Sequence, residues 1–331
     1  MKNIIEIKKV LKQFKVLKRK TGLKSSFTNF FSRDYKIIKA VNNVSLTIKE
    51  GEFVGVIGPN GAGKSTLIKI LTGVLTPSSG TVKVLNYIPY KQRKEYTKNI
   101  GVVFGQRTQL WWDLPVKDTF ELFKYIYKIP EEKFKNNLNR FVDVLDIDKY
   151  LDTPTRKLSL GERMRCDLVA SLLHEPKIVF LDEPTIGLDV EAKFRIREFL
   201  KEVNANGTTI ILTTHDMSDI EELCPRIVII DKGKKIYDGL VDNVKKKFRK
   251  QRILVIDFFE EIDESKLKWK GIKTIKKEGD RVTLIIDTTK TTASDVIKKI
   301  LSKWPIYDIT VEEPEIEEVI RKIYKKGFNV S

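Results

Sequence analysis

An α/β fold organised around a phosphate-binding loop is what this sequence predicts, and three observations carry the prediction. The stretch GPNGAGKST, Gly58 to Thr66, follows the apolar run Phe53, Val54, Val56 and Ile57 and precedes Leu67, Ile70, Leu71 and Val74 at helical spacing. Ile178 to Leu181 and Thr209 to Leu212 are apolar on both faces, the mark of central strands in a parallel sheet. Residues 253–331 alternate strand and helix patterns, as a small α+β domain does. The expected layout is a nucleotide-binding domain over 1–240, a basic linker over 241–252 and an accessory domain over 253–331.

Taken in order, Ile4 to Phe14 alternates loosely and is expected to be a first strand. Residues 15–34 form a basic, partly aromatic insertion, with Phe27, Phe30 and Phe31 available to pack it against the parent domain or a membrane protein. Val41 to Ile48 is a second strand, and the turn at Glu50-Gly51 leads to the strand that feeds the loop. Pro77-Ser78-Ser79-Gly80 turns the chain into Thr81 to Leu85. Ile100 to Phe104 is short, apolar, and ends in Gly105-Gln106. Trp111 and Trp112 follow, fit either for a core or for a docking surface. Residues 116–152 are expected to be helical, with Phe120, Phe123, Leu138, Phe141, Val144 and Leu145 in the core. Leu160, Met164, Leu168 and Leu172 recur every fourth residue, which predicts a helix with Ser159 and Gly161 in its first turn. A helical subdomain over about 107–175 results. In the tail, Arg252 to Phe259, Arg281 to Asp287 and Tyr307 to Glu312 are expected strands, and Ala293 to Trp304 and Glu315 to Lys326 expected helices.

Glycines let backbone amides curl around phosphate oxygens without Cβ clashes, and a helix start adds its positive dipole end. Gly58, Pro59, Asn60, Gly61, Ala62, Gly63, Lys64, Ser65 and Thr66 therefore make the expected cradle, with Lys64 on the β and γ phosphates and Ser65 on Mg²⁺. Ligands of parallel sheets gather at the carboxyl ends of strands, where Gly58, Gln106, Asp182 and His215 are expected to lie. An acid ending a buried strand suits the Mg²⁺-holding carboxylate of phosphate-loop NTPases, so Asp182 takes that role. Glu183 is the candidate to orient and deprotonate the attacking water. His215 is placed to hydrogen-bond the γ-phosphate and sense its loss.

At these residues the chain resembles the ATP-binding cassette (ABC) ATPases, over about Ile4 to Gly239. The phosphate loop, the Q-loop glutamine Gln106, the strand ending in Asp182 and Glu183, the D-loop Gly187-Leu188-Asp189 and the switch histidine His215 occur in the family's order. The signature sequence, usually LSGGQ, is LSLGE here, at Leu158 to Glu162, and keeps Ser159 and Gly161. The resemblance implies the cassette fold, a mixed sheet with a helical subdomain, together with ATP and Mg²⁺ as ligands. It also implies a metal role for Gln106 beside Ser65 and Asp182, with Gln109 as the competing glutamine. It implies a head-to-tail dimer in which each signature caps the γ-phosphate held by the other cassette's loop. With one cassette in the chain, the partner is a second copy or a related cassette. For the aromatic residue that stacks on adenine, Tyr35 lies at the usual distance before Lys64, and Phe14 sits in the usual strand context. Tyr35 is taken. Similar tails occur on drug-exporter and polysaccharide-exporter ATPases, where separate permease subunits cross the membrane. The implied function is an exporter's ATPase subunit, peripheral on the cytoplasmic side, docked through the Gln106 to Pro115 loop.

Composition bounds the alternatives. The chain has 331 residues, 41% hydrophobic and 32% charged, which is ordinary globular composition, and no window approaches the eighteen apolar residues of a membrane helix. The N-terminus meets charge too early for a signal peptide, so a cytosolic protein is expected. Cys166 and Cys224 lack metal-like spacing and are expected to be reduced core thiols. The net charge is +17, and residues 1–40 hold twelve Lys or Arg against two acids, with a second cluster at Lys245 to Arg252. Such surfaces attract nucleic acid, anionic headgroups or acidic partners. A soluble ABC ATPase acting on nucleic acid or ribosomes is the alternative. Those relatives carry two cassettes or a long coiled coil, so nucleic acid is not the expected partner. A cassette that only binds ATP as a structural switch is the third reading.

Overall fold

In the computed structural model, which describes residues 2–17, 35–105, 107–248, 251–267, 269–313 and 316–326, the chain opens on two long antiparallel strands, β1 (Asn3–Leu17) and β2 (Tyr35–Lys49). Both exceed their expected lengths. Pairing continues through Phe14↔Ile38, Lys15↔Ile37 and Leu17↔Tyr35, so Lys15 to Leu17 belong to the hairpin and not to an insertion. These outer residues are mostly exposed, and unburied pairing leaves no strong apolar alternation to read. Residues 18–34, with Phe27, Phe30 and Phe31, lie outside the described residues. β4 (Ser79–Val84) joins β1 on its other edge, and Ile5, Ile7, Val10, Leu46, Ile48 and Val82 bury the face of this sheet.

The second sheet holds β3 (Phe53–Ile57), β5 (Ile100–Phe104), β6 (Ile178–Asp182), β7 (Thr209–Thr213), β8 (Arg226–Asp231) and β9 (Lys234–Leu240), in the order β5-β6-β7-β3-β8-β9. Its first five strands run parallel. Four of them end level with one another, since Phe104 pairs with Asp182, Asp182 with Thr213, and Thr213 with Val56. That alignment is what assembles the site. Every residue of β3 and β7 is buried, as a central strand covered on both faces requires.

Helix α1 (Lys64–Leu71) follows the glycine loop, and α2 (Arg93–Thr97) precedes β5. The helical part comprises α3 (Val116–Tyr127), α4 (Glu131–Leu145) and α5 (Leu160–Leu172). Phe120, Phe141 and Leu145 are buried, whereas Phe123, Leu138 and Val144 are half-buried. Met164, Leu168 and Leu172 bury the inner face of α5, whose start is set by a capping box between Ser159 and Glu162. Asp189 caps α6 (Val190–Ala205) and Asp216 caps α7 (Met217–Leu223), each by accepting a backbone N–H. Cys166 and Cys224 are buried free thiols.

The chain divides into two compact units, Met1–Gly239 and Leu240–Ser331. The second contains α8 (Val241–Phe248), β10 (Gln251–Phe258), β11 (Ile272–Glu278), β12 (Arg281–Asp287), α9 (Ala293–Leu301), β13 (Ile306–Glu312) and α10 (Ile316–Lys326). Its sheet, β11-β12-β10-β13, is antiparallel, and Leu254, Ile256, Val282 and Leu284 pack with Val296 and Ile300 of α9. The segment expected to be a linker is largely helical. Val241 and Val244 are buried one turn apart, and α8 packs against α10. The three lysines that follow Val244, Lys245 to Lys247, hid the helix from a charge-based reading.

Candidate functional site

The loop between β3 and α1 is held open by contacts that only glycine tolerates. Gly63 has φ +108°, and a Cβ there would lie 2.1 Å from the Ala40 carbonyl oxygen. A Cβ on Gly58 would meet the Ile230 oxygen at 2.2 Å. Gly233 N donates to Ala62 O at 2.8 Å and tethers the loop to the β8–β9 turn. The first intrahelical bond of α1 runs from Leu67 N to Gly63 O, so the amides of Lys64, Ser65 and Thr66 precede it and face the loop's concavity. Pro59, Asn60 and Gly61 are exposed at the rim.

Lys64 is buried, with Nζ donating to Gly58 O at 2.7 Å and Pro59 O at 3.3 Å. Burial lowers its pKa from the ordinary value, and the Glu183 and Asp182 carboxylates oppose that shift. A buried ammonium held by two weak carbonyl partners is suited to exchange them for phosphate oxygens.

Across the cleft, Ser65 Oγ donates to Asp182 Oδ1 at 3.2 Å, and Thr213 Oγ1 donates to the same oxygen. Two hard oxygen donors side by side fit Mg²⁺, which keeps waters and substrate phosphates instead of a full protein cage. Glu183 follows with φ +57°, in the left-handed region, and its amide donates to Thr213 O at 2.9 Å. The turned backbone sends its carboxylate to His215, with Nδ1 and Oε2 3.4 Å apart. Ser65, Gly105, Asp182 and Glu183 line one cleft of about 310 Å³. Gln106 lies outside the described residues. The competing Gln109 is engaged elsewhere, since its side chain donates to Asp167 O at 3.0 Å.

The signature positions occupy a different place. Ser159, Gly161, Gly187 and Asp189 line a second cleft that shares no lining residue with the first. Ser159 Oγ accepts from Glu162 N, and Glu162 Oε2 accepts from Ser159 N at 2.8 Å. The glutamate of LSLGE thus closes the capping box, while the Ser159 hydroxyl keeps its proton to donate.

Tyr35 and Phe14 are separated by the hairpin register. The loop abuts β2 at Ala40, and Phe14 pairs with Ile38, two residues from that point. Tyr35 lies five residues from Ala40, about 16 Å at strand rise. Trp111 and Trp112 are exposed, at 55% and 52%, with Leu114 beside them in sequence at 37%. Sequence reasoning missed Thr213, which reaches Asp182 only through strand pairing. It also missed two buried acids, Asp167 and Asp219, whose signal was an acid inside an apolar helical stripe.

An ABC transporter family model matches residues 41–186, and a DrrA1-3-like ATP-binding protein C-terminal domain model matches residues 239–324. The ABC transporter ATP-binding protein NatA of Bacillus subtilis is 32% identical over 65% of this chain and 87% of its own length. The Nod factor export ATP-binding protein I of Ralstonia nicotianae is 33% identical over 60% of this chain and 62% of its own. A dimeric ATP-binding cassette in a post-hydrolysis state, bound to ADP and Pi, superposes with a TM-score of 0.60 at 28% identity, covering 72% of this chain and 98% of that one. Motif order, strand-end geometry and likeness along most of a relative's length agree: the chain belongs to the ATP-binding subunits of ABC transporters and is an ABC ATPase.

Proposed function

We propose that this ATPase powers export through a separate permease, with Glu183 as the general base and Asp182 and Ser65 as the protein ligands of Mg²⁺. The observation that supports these roles best is the level line Phe104, Asp182, Thr213 and Val56 across four parallel strands. It brings Ser65 and Asp182 to hydrogen-bond distance and leaves the Glu183 carboxylate directed into the cleft's mouth beside His215.

Each residue then has a task. Lys64 trades its loop carbonyls for β- and γ-phosphate oxygens, and the amides at the start of α1 hold the phosphate chain. Bound Mg²⁺ supplies neutralisation of charge on those phosphates. Glu183 accepts a proton from water attacking in line, and His215 contacts the γ-phosphate side of the cleft. Ser159 and Gly161 lie in a separate cleft of the same chain, which supports a head-to-tail dimer that completes two sites. The partner is a second copy or a related cassette. Phe14 is the better-placed aromatic for adenine than Tyr35. The relative named for Nod factor export supports the exporter reading, and the exposed Trp111 and Trp112 support a dock there for permease helices. No helix among the described residues is long and apolar enough to cross a membrane. A peripheral position at the cytoplasmic face, with the permease as a separate subunit, is part of the same proposal.

The test is a pull-down of tagged Glu183→Gln protein, trapped with ATP, from solubilised membranes of the source cell. One or two polytopic proteins at equal stoichiometry are expected. Ribosomes or nucleic acid in their place would overturn the exporter reading. Turnover unchanged by Glu183→Gln would leave only an ATP-binding switch.

A further inference from the structure

Asp219 is fully buried on α7 and takes no part in the roles above. Burying a carboxylate costs several kcal/mol unless its oxygens are paired, so a charge at this depth needs a full set of donors. It has them. Oδ2 accepts from the Thr185 hydroxyl at 2.5 Å and the Thr214 hydroxyl at 3.2 Å. Oδ1 accepts from Arg197 Nε at 2.8 Å, and Arg197 Nη2, which donates to Ser218 Oγ, stands 2.6 Å from the same oxygen as an ion pair. Thr185 and Thr214 are themselves buried, at 2% exposure each.

The positions of the two threonines give the cluster its meaning. Thr185 lies two residues after Glu183, and Thr214 immediately precedes His215. One carboxylate oxygen therefore fastens both turns that carry the acid and the histidine. Arg197 anchors that carboxylate to α6, and Lys193 of the same helix bonds Asp216 at 2.6 Å on the far side of His215. Thr214 Oγ1 also accepts from Asp216 N at 2.9 Å, which fixes its rotamer so that its proton points at Asp219. Glu183 needs such support, because a bulky residue at φ +57° persists only when its surroundings hold it there.

We infer that Asp219 is a positioning residue whose Oδ2, through Thr185 and Thr214, holds the Glu183 turn and the His215 turn as one unit at the γ-phosphate edge. This rests on the proposed roles of Glu183 and His215. Freeing either turn misplaces a reacting group by fractions of an ångström while leaving the nucleotide cradle around Lys64 intact. The kinetic consequence is a loss in kcat with little change in KM.

The experiment compares Thr185→Val, Thr214→Val, the double variant, and Thr→Ser at each position, in the full chain, by steady-state MgATP hydrolysis and thermal unfolding. Each Val variant is expected to lose roughly tenfold in kcat, about one hydrogen bond's worth of barrier, with KM within about twofold. Each Ser variant, which keeps the hydroxyl, is expected to restore kcat. The double variant is expected to fall little below the slower single, because both break one link. Folded Val variants at wild-type kcat overturn the inference, as do Ser variants as slow as the Val ones. Should a Val variant not fold, the Ser variant against Thr→Ala at that position makes the same comparison. Glu183→Gln is run alongside. If it is inactive while the Val variants are unimpaired, the inference fails alone. If it hydrolyses at the wild-type rate, the reading of the site fails with it.

Discussion

Replacing Asp167 by Asn changes how stability depends on pH, and the structure sets the size of the effect. Asp167 is 4% exposed on the inner side of α5. Its Oδ1 accepts from the Thr108 hydroxyl at 2.9 Å and from Gln109 N at 3.0 Å, which ties the loop bearing Trp111 and Trp112 to the signature helix. Burial pushes its pKa up from 3.8 to about 6, against the opposing effects of the Gln109 amide and the Thr108 hydroxyl. The folded state therefore holds this proton more tightly than the unfolded chain does. Stability from that difference is fully present below pH 3.8 and is lost as pH rises through about 6. The interval corresponds to about 3 kcal/mol. Asparagine keeps an oxygen in the Oδ1 position and has no charge to bury, so it lacks this loss. Any constant offset from its new amide is the same at every pH. Relative to wild type, Asp167→Asn should gain about 2.4 kcal/mol between pH 4 and pH 8, where the unfolded carboxyl is already more than half ionised at the lower end, or roughly 5–10 °C in Tm for a unit of this size. Thermal melts of both proteins across that range measure it, following the transition of the unit that holds α5. Curves that stay parallel within about 2 °C would refute the assignment of a strained, buried carboxylate.

Ser159→Ala removes the capping box and should cost about 1 kcal/mol in stability. It should also lower ATP turnover in the dimer while the isolated subunit's ATP affinity is kept, as titration with a fluorescent ATP analogue would show. Gly63→Ala puts a Cβ 2.1 Å from Ala40 O at φ +108°, so nucleotide binding should be lost in the same titration, together with a drop in Tm. Substituting Trp111 and Trp112 by Ala should abolish recovery of membrane subunits in the pull-down. Turnover of the purified chain should stay within about twofold of wild type, since both side chains are exposed and neither lines the Ser65 cleft. Preserved complex assembly in that variant would remove the dock from this loop.

How far the sequence reaches depends on whether a constraint is local. Gly58 to Thr66 could be read because backbone conformation, phosphate chemistry and the helix start act within nine consecutive residues. Asp182 and Glu183 were legible because they end a strand too apolar to lie anywhere but the sheet's centre. Ser159 as the start of α5 was legible from the four-residue spacing behind it. The outer hairpin and α8 were not. The outer hairpin leaves Phe14, Val16, Tyr35 and Ile37 exposed, and Val244 is followed at once by three lysines, so neither leaves the apolar rhythm that sequence reasoning uses.

Sequence alone thus located the glycine loop, the acids at the end of β6, His215 after β7 and the α/β class, since each is written in neighbouring residues. Only the tertiary structure decided that Thr213 reaches Asp182 and that Phe14 pairs with Ile38, two residues from the point where β2 meets the loop. It also decided that one oxygen of Asp219 holds the turns of Glu183 and His215. Those relations depend on strand order and register across more than thirty residues of chain, as between Thr185 and Asp219, and no local preference encodes a register.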